Sequence, residues 1–111
     1  MSQESTEFQW DENKRESNIE KHSVDFTDAI QVFAGPHFIE DRTREEDGEV
    51  RRGAIGPIPE RLTPNHWSGE LIVVVFTRRG DAIRVISARR ADKDERRRYE
   101  SHFGGSKKGR E

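Results

Sequence analysis

The chain has 111 residues, 30% of them hydrophobic and 38% charged, with a formal net charge of -2 and no cysteine. That length supports one domain with a small core, and the missing thiols exclude disulfides, thiolate catalysis and cysteine-ligated zinc. No run approaches the roughly 18 apolar residues of a membrane span, and the polar opening MSQESTEFQ lacks a signal-peptide core, so a cytoplasmic protein is expected.

The net charge conceals an asymmetry. Residues 1–48 carry 5 basic against 13 acidic side chains, or -8, whereas residues 49–111 carry 15 against 9, or +6. A basic half permits a local footprint for a polyanion, and an acidic half excludes a uniformly basic coat. Charge runs are also ordinary solvated faces, and composition does not separate the two readings.

In chain order, Phe8, Gln9 and Trp10 form a short β-type run, and Asp11 is placed to cap a helix over ENKRESNIEKH, residues 12–22. This helix is almost entirely polar. Ile19 is its expected core anchor, with Trp10 packed near its base. Asp25 opens a second helix with Asp28 in the capping-box position and Val24 stapled to Ala29. Phe26, Ala29, Ile30 and Phe33 provide one apolar face, and Gly35 with Pro36 stops the helix.

HFIED (37–41) and EVRRGAIG (49–56) read as short strands around the polar loop RTREEDG. PIPERLTPNHWSG (57–69), with its three prolines, reads as a long loop. Trp67 in that loop is either an anchor folded onto the core, the favoured reading because indole burial ties a loop down, or an exposed contact. LIVVVFT (71–77) has the pattern of a central strand covered on both faces. The chain turns through Gly80 and returns as AIRVISA (82–88), where alternation puts Ile83, Val85 and Ser87 on one face and Arg84, Ile86 and Ala88 on the other. Asp92, with Glu95 three residues on, caps a final helix ended by Gly104. The expected fold is α+β: a small antiparallel sheet with helices on one side, two N-terminal and one C-terminal. It occupies residues 8–103, between a disordered extension (1–7) and a disordered tail (104–111).

The four histidines, His22, His37, His66 and His102, are scattered without metal-ligand spacing, and the GAIG stretch around Gly53 and Gly56 lacks the lysine of a phosphate loop. Neither Ser23 nor Ser87 lies in a nucleophile elbow. The arginines remain. Arg84, Arg89 and Arg90 fall on or just beyond the closing hairpin, and Arg96, Arg97, Arg98 and Tyr99 follow on the last helix. Helical spacing puts Arg96, Tyr99 and Phe103 on one face, so that a buried Phe103 would carry Tyr99 against the sheet with its hydroxyl near the strand-end arginines. Guanidinium groups hold phosphate oxygens bidentately, and the same groups can instead pair with Asp92, Asp94 and Glu95.

FQWDENKRESNIEKHSVDFTDAIQVFAGP resembles the opening of BrnT-type toxins, through Trp10, Asp11, Lys14, Asn18, Lys21, His22, Val24, Phe26, Ala29, Val32 and Phe33. AIG at 54–56 and LIVVVFTRRGDAIRVISARRADKDERRRYE from 71, with Ser87, Arg89, Ala91, Glu95, Arg96 and Tyr99, resemble the family's closing strands and helix. The resemblance implies a RelE-like ribonuclease fold and a toxin of a type II toxin–antitoxin pair. It implies RNA cleavage that needs no metal or other cofactor and inhibits translation. It also implies neutralisation by a BrnA-like DNA-binding antitoxin, through which alone operator DNA is reached. Carried over by position, the catalytic candidates are Lys21, His22, Arg51, Arg89 and Tyr99, with Arg84, Arg90 and Arg96 as RNA-binding neighbours.

In such cleavage the ribose 2′-hydroxyl attacks its own phosphate, so the site needs a proton acceptor, a proton donor and positive charge on the phosphorane. Arginine supplies the charge, imidazole is the natural acid or base, and tyrosine or lysine would need a lowered pKa. His22 could equally cap the first helix. The loop at 57–69 and the N-terminal extension are longer than the family's pattern. The alternative function is a non-catalytic basic module that holds RNA or an acidic protein.

Overall fold

The run from Leu71 to Arg79 is the middle strand of a five-stranded sheet. In the computed structural model, which describes residues 6–59 and 71–104, the order is β1 (Phe8–Gln9), α1 (Glu12–His22), α2 (Phe26–Ala29), β2 (Phe38–Asp41), β3 (Arg52–Pro57), β4 (Leu71–Arg79), β5 (Ala82–Arg90) and α3 (Lys93–Tyr99). Trp67, most of the 57–69 loop and the tail after Gly104 lie outside the described residues. Across the sheet the order is β1-β5-β4-β3-β2. β2 to β5 form the expected antiparallel meander, but β1 joins β5 in parallel, pairing Phe8 with Ile83 and Gln9 with Arg84. Among the described residues, no helix is long and apolar enough to cross a membrane.

β4 is apolar at every position from Leu71 to Phe76, so both of its faces require cover. Ile72, Val74 and Phe76 pack with Val24, Phe26, Ala29 and Val32 beneath α2. Leu71 and Val73 pack on the opposite side with Ile55 and Ala91, with Phe38, Val75 and Tyr99 of α3 alongside. The helices therefore occupy both faces, not one.

α2 tightens into a 3₁₀ turn at Ile30–Ala34. Three residues per turn select positions 26, 29 and 32, so Val32 is fully buried while Ile30 and Phe33, expected from α-helical spacing, are only partly covered. The Asp25 side chain accepts from the Thr27 N–H at 3.0 Å, whereas Asp28 meets only the Asp25 carbonyl through its own N–H, at 2.9 Å. The expected box does not close. Aspartate is one methylene short of the usual glutamate.

α1 keeps its predicted limits, with Asp11 Oδ1 accepting from the Asn13 N–H at 2.8 Å. Its anchor is not Ile19, which is 37% exposed, but Asn18, which is 5% exposed. Asn18 Nδ2 donates to the carbonyls of Val24 (2.9 Å) and Ala88 (2.8 Å), and Oδ1 accepts from the Ala88 N–H (3.1 Å). β1 pairs with β5 only at Ile83 and Arg84, so further along that edge the Asn18 carboxamide serves the Ala88 backbone in place of a strand.

The β4–β5 ladder slips at Val75/Phe76: Val75 opposes Ser87 but Phe76 opposes Val85, which makes Ile86 a bulged residue. Strict alternation fails there. Ala88 joins Ile83 and Val85 in the core beneath α2, and Ser87 and Arg89 turn to the α3 face, opposite Val75 and Val73.

α3 begins with a closed capping box, Asp92 Oδ1 accepting from Glu95 N–H and Glu95 Oε1 from Asp92 N–H, both at 2.8 Å. The Glu95 carboxylate is also buried between cations. Arg89 donates to it at 2.8 and 2.7 Å, and Arg42 at 2.6 Å. Burial alone would raise its pKa, but the bonds from Arg89, the Asp92 amide and Arg42 together bring it down from 4.5 to about 2. Arg42 reaches this position across Gly53, where a Cβ would stand 3.0 Å from Arg42 Cγ. After Tyr99 the helix widens into a π turn, Glu100–Gly104, in which Phe103 stacks on Tyr99 at 4.7 Å but is 40% exposed. The expected burial of Phe103 does not occur.

Two predictions follow from these anchors. Asn18→Ala leaves the Ala88 and Val24 backbone groups unpaired and is expected to lower the unfolding free energy by about 2–4 kcal/mol. Urea denaturation measures this, and a loss under about 1 kcal/mol would mean the carboxamide is not the anchor. Because the folded-state pKa of Glu95 is depressed, the unfolded chain binds the extra proton, so stability rises with pH. The contribution of Glu95 is complete above about 4.5 and declines as pH falls toward about 2. Glu95→Gln should flatten that part of the pH–stability curve while lowering stability near neutrality by roughly 2–3 kcal/mol; an unchanged acid limb would show that Glu95 is not its source.

Candidate active site

Lys14, Ser17, Asn18 and Lys21 recur at helical spacing along α1, and with His22 they line a cleft of about 170 Å³ against Ile86 and Ser87. A second cleft of about 440 Å³ lies between Arg42, Thr43, Arg44 and Arg51 on one side and Val75, Ile86 and Ser87 on the other. The two clefts share Ile86 and Ser87, the residues at the bulge. Together they make one basin with Ser87 at its centre, bordered by cations from α1, from the segment after β2 and from the approach to β3.

The local structure explains the placement. Docking of Asn18 on Ala88 holds α1 along β5, so the same helical face that buries Asn18 carries Lys14 and Lys21 beside the bulge. Lys21 and His22 occupy the last turn, where the helix dipole favours cations. That end is closed by the Ser23 backbone, left-handed at φ 62°, whose N–H reaches the Ile19 carbonyl at 2.8 Å. The capping alternative for His22 is thus met by another residue. Arg51 precedes β3 rather than lying on it. Thr43 fixes its backbone, its Oγ1 accepting from the Arg51 N–H at 2.9 Å and donating to the Arg51 carbonyl at 3.2 Å. The Arg51 guanidinium lies 3.5 Å from both Asp47 and Glu49, and its Nε is buried with no hydrogen-bond partner among the described residues.

The expected site residues thus divide. Lys21 and His22 line one of the two clefts that meet at Ser87, and Arg51 lines the other. Arg89 is adjoined to them through Arg42, which lines the second cleft and shares the Glu95 carboxylate with it. Of the two readings open for Arg89, pairing with Glu95 is the one observed. Tyr99 lies on the same face of the sheet, but its hydroxyl points to the Pro36 carbonyl at 3.4 Å, not to the strand-end arginines. Burial pushes its phenol up, opposite to what a general base needs. Arg84 stands on the face of Ser87 but three residues nearer the hairpin turn, roughly 10 Å along the strand. Arg90, opposite Ile72, turns to the α2 face. Arg96 follows Glu95 on α3 and is partly exposed.

Sequence reasoning missed Arg42, Arg44 and Lys14 as basin residues, and missed Arg42 as a second partner of Glu95. One signal was present: a glycine inside a strand marks a close approach, and Gly53 is where Arg42 crosses. Among the described residues, no group of three or more His, Cys, Asp or Glu side chains could hold a metal ion. The basin is suited chemically to grip a phosphodiester and to shuttle a proton through one imidazole.

The family described as "Ribonuclease toxin, BrnT, of type II toxin-antitoxin system" matches residues 10–95. Among solved structures, the chain is similar to the crystal structure of the Brucella abortus ribonuclease toxin BrnT, at 32% identity over 80% of this chain and 100% of that one, with a TM-score of 0.54. No curated relative matches it. With the α+β fold and a cationic basin at the bulge of β5, these matches agree: the chain belongs to the BrnT family of ribonuclease toxins of type II toxin–antitoxin systems.

Proposed function

We propose that the chain cleaves RNA in the basin around Ser87, without a metal, and so inhibits translation in the cytoplasm once its antitoxin is removed. The observation that carries this reading is the meeting of two clefts at Ile86 and Ser87, one lined by Lys21 and His22 and the other by Arg51. In this reaction the ribose 2′-oxygen forms a bond to phosphorus as the bond to the 5′-oxygen breaks. The 2′-hydroxyl proton passes to a base, and the departing 5′-oxygen takes a proton from an acid, leaving a cyclic phosphate.

His22 is the imidazole available for these transfers. Lys21 and Arg51 stabilise the charge that grows on the phosphorane oxygens, an effect strengthened by the partial burial of Arg51. Arg89, held by Glu95, adds positive potential behind them, while Arg84 and Arg96 extend it along the bound strand; Arg90, turned to the α2 face, takes no part. Tyr99 contributes packing rather than proton transfer. A BrnA-like antitoxin silences this activity, and any contact with operator DNA is made through that partner.

The test is cleavage of a labelled RNA by the freed protein, wild type beside variants. His22→Ala and Arg51→Ala are each expected to reduce the rate by about 10²-fold or more, and Tyr99→Phe to stay within about 3-fold, with RNA binding largely kept by His22→Ala. If the wild type binds RNA but leaves it intact at every ionic strength, the basin is a binding module and the nuclease reading fails.

A further inference from the structure

A third groove, of about 610 Å³, opens at the far end of the sheet from the β5–α3 connection. Ile39, Val50 and Phe76 are its apolar walls, and Arg52, Arg78 and Arg79 stand around it. By register, Ile39 opposes Ala54 and Arg52 opposes Phe76, which places it on the α2 face, where α2 and its 3₁₀ turn cover Ile72 and Val74 but stop short. The basin around Ser87 opens on the other face.

Two branched aliphatic side chains are left in water here, Val50 at 57% and Ile39 at 43% exposure. Single exposed aliphatics are ordinary, but two beside one groove and ringed by arginines make a patch with a defined chemistry. Among the described lining residues only Glu49 offsets the cations, and its contact with the half-exposed Arg79 is long, 3.8 Å. Thr77, which could present a hydroxyl, instead donates to the Val50 carbonyl at 2.8 Å and so fixes Val50 in place.

We infer that this groove docks the antitoxin, through an amphipathic segment whose apolar side chains cover Ile39 and Val50 and whose carboxylates pair with Arg52, Arg78 and Arg79. Charge complementarity selects this occupant over the others. RNA binding away from base pairs relies on aromatic platforms, and the ring in this groove, Phe76, is 1% exposed and cannot stack. A second copy of the chain in a two-fold contact would set the three arginines against themselves. An acidic amphipathic segment satisfies both the apolar walls and the cationic rim. The inference rests on family membership, which supplies the partner, and not on the cleavage chemistry assigned to the basin.

The test titrates the intact cognate antitoxin into the full-length toxin by calorimetry, for wild type, Val50→Asp and the double variant Arg78→Glu/Arg79→Glu. Each variant should bind at least 10-fold more weakly, and wild-type affinity should fall as salt rises. Thermal melts should stay at the wild-type temperature, since these side chains are on the surface. RNA cleavage by the freed variants should equal that of wild type, which separates this result from any failure of the nuclease reading because the titration needs no activity. Wild-type antitoxin affinity in both variants overturns the proposal. So does loss of RNA binding without loss of antitoxin binding, which would make the groove an RNA surface. Loss of self-association in sedimentation, with antitoxin binding intact, would assign it to a second copy instead.

Discussion

Three hydrogen bonds from the Asn18 carboxamide hold the arrangement together. α1 has too little apolar surface to be retained by the hydrophobic effect, since even Ile19 is over a third exposed. A buried amide that closes onto both the N–H and the carbonyl of Ala88, and onto Val24, replaces that missing burial with directional bonds. Direction is what the site requires. A greasy helix can slide or rotate on a sheet, but one tied to a single backbone residue presents Lys14, Lys21 and His22 in a fixed relation to Ser87. The bulge at Ile86 sets which side chains follow it: Ala88 turns into the core beneath α2, and Ser87 and Arg89 turn to the other face, where Ser87 lines the cleft that α1 borders.

The second constraint is electrostatic. A chain that concentrates guanidinium groups must keep them from repelling one another, and it does so by crossing its acidic and basic halves. Glu40 from the acidic half takes Arg98 at 3.0 Å, and Arg42 from that half reaches Glu95 in the basic one. Glu95 holds two arginines while buried, a position tolerable only because every charge there is paired and hydrogen-bonded. The cations of the structured core are thereby neutralised, and Arg44 and Arg51 share Asp47, whereas Lys14 and Lys21 of α1 border the open cleft. The near-neutral sum of the chain describes neither region.

The two faces of the sheet consequently carry different surfaces. One presents a polar, cationic basin with little apolar wall beyond Val75 and Ile86, as a phosphodiester backbone requires. The other ends in aliphatic side chains with arginines at their edge, a composition nearer to that of a protein interface. The central strand separates them, and its continuous apolar run makes both possible.

Much of this was legible in the linear chain. The caps at Asp11, Asp25 and Asp92, the central strand, the hairpin through Gly80 and the family likeness all depend on local chemistry, which neighbours in sequence determine. Lys21 and His22 were reached only through the family resemblance, and the fold class through the order of elements. Apart from the Asp25–Asp28 box, left open by a side chain one methylene short, the failures share a cause: contacts distant in sequence. The 3₁₀ tightening that exchanged Phe33 for Val32, the bulge that broke alternation after Val85, and the choice of Asn18 over Ile19 were decided by partners up to seventy residues away. Arg89 and Tyr99 show the same division. Their residue types announced chemistry, but only the packed sheet determined that one would grip Glu95 and the other would turn its hydroxyl to Pro36. Local propensity specifies elements; the requirement that every buried polar group find a partner specifies how they meet, and that requirement is met only in three dimensions.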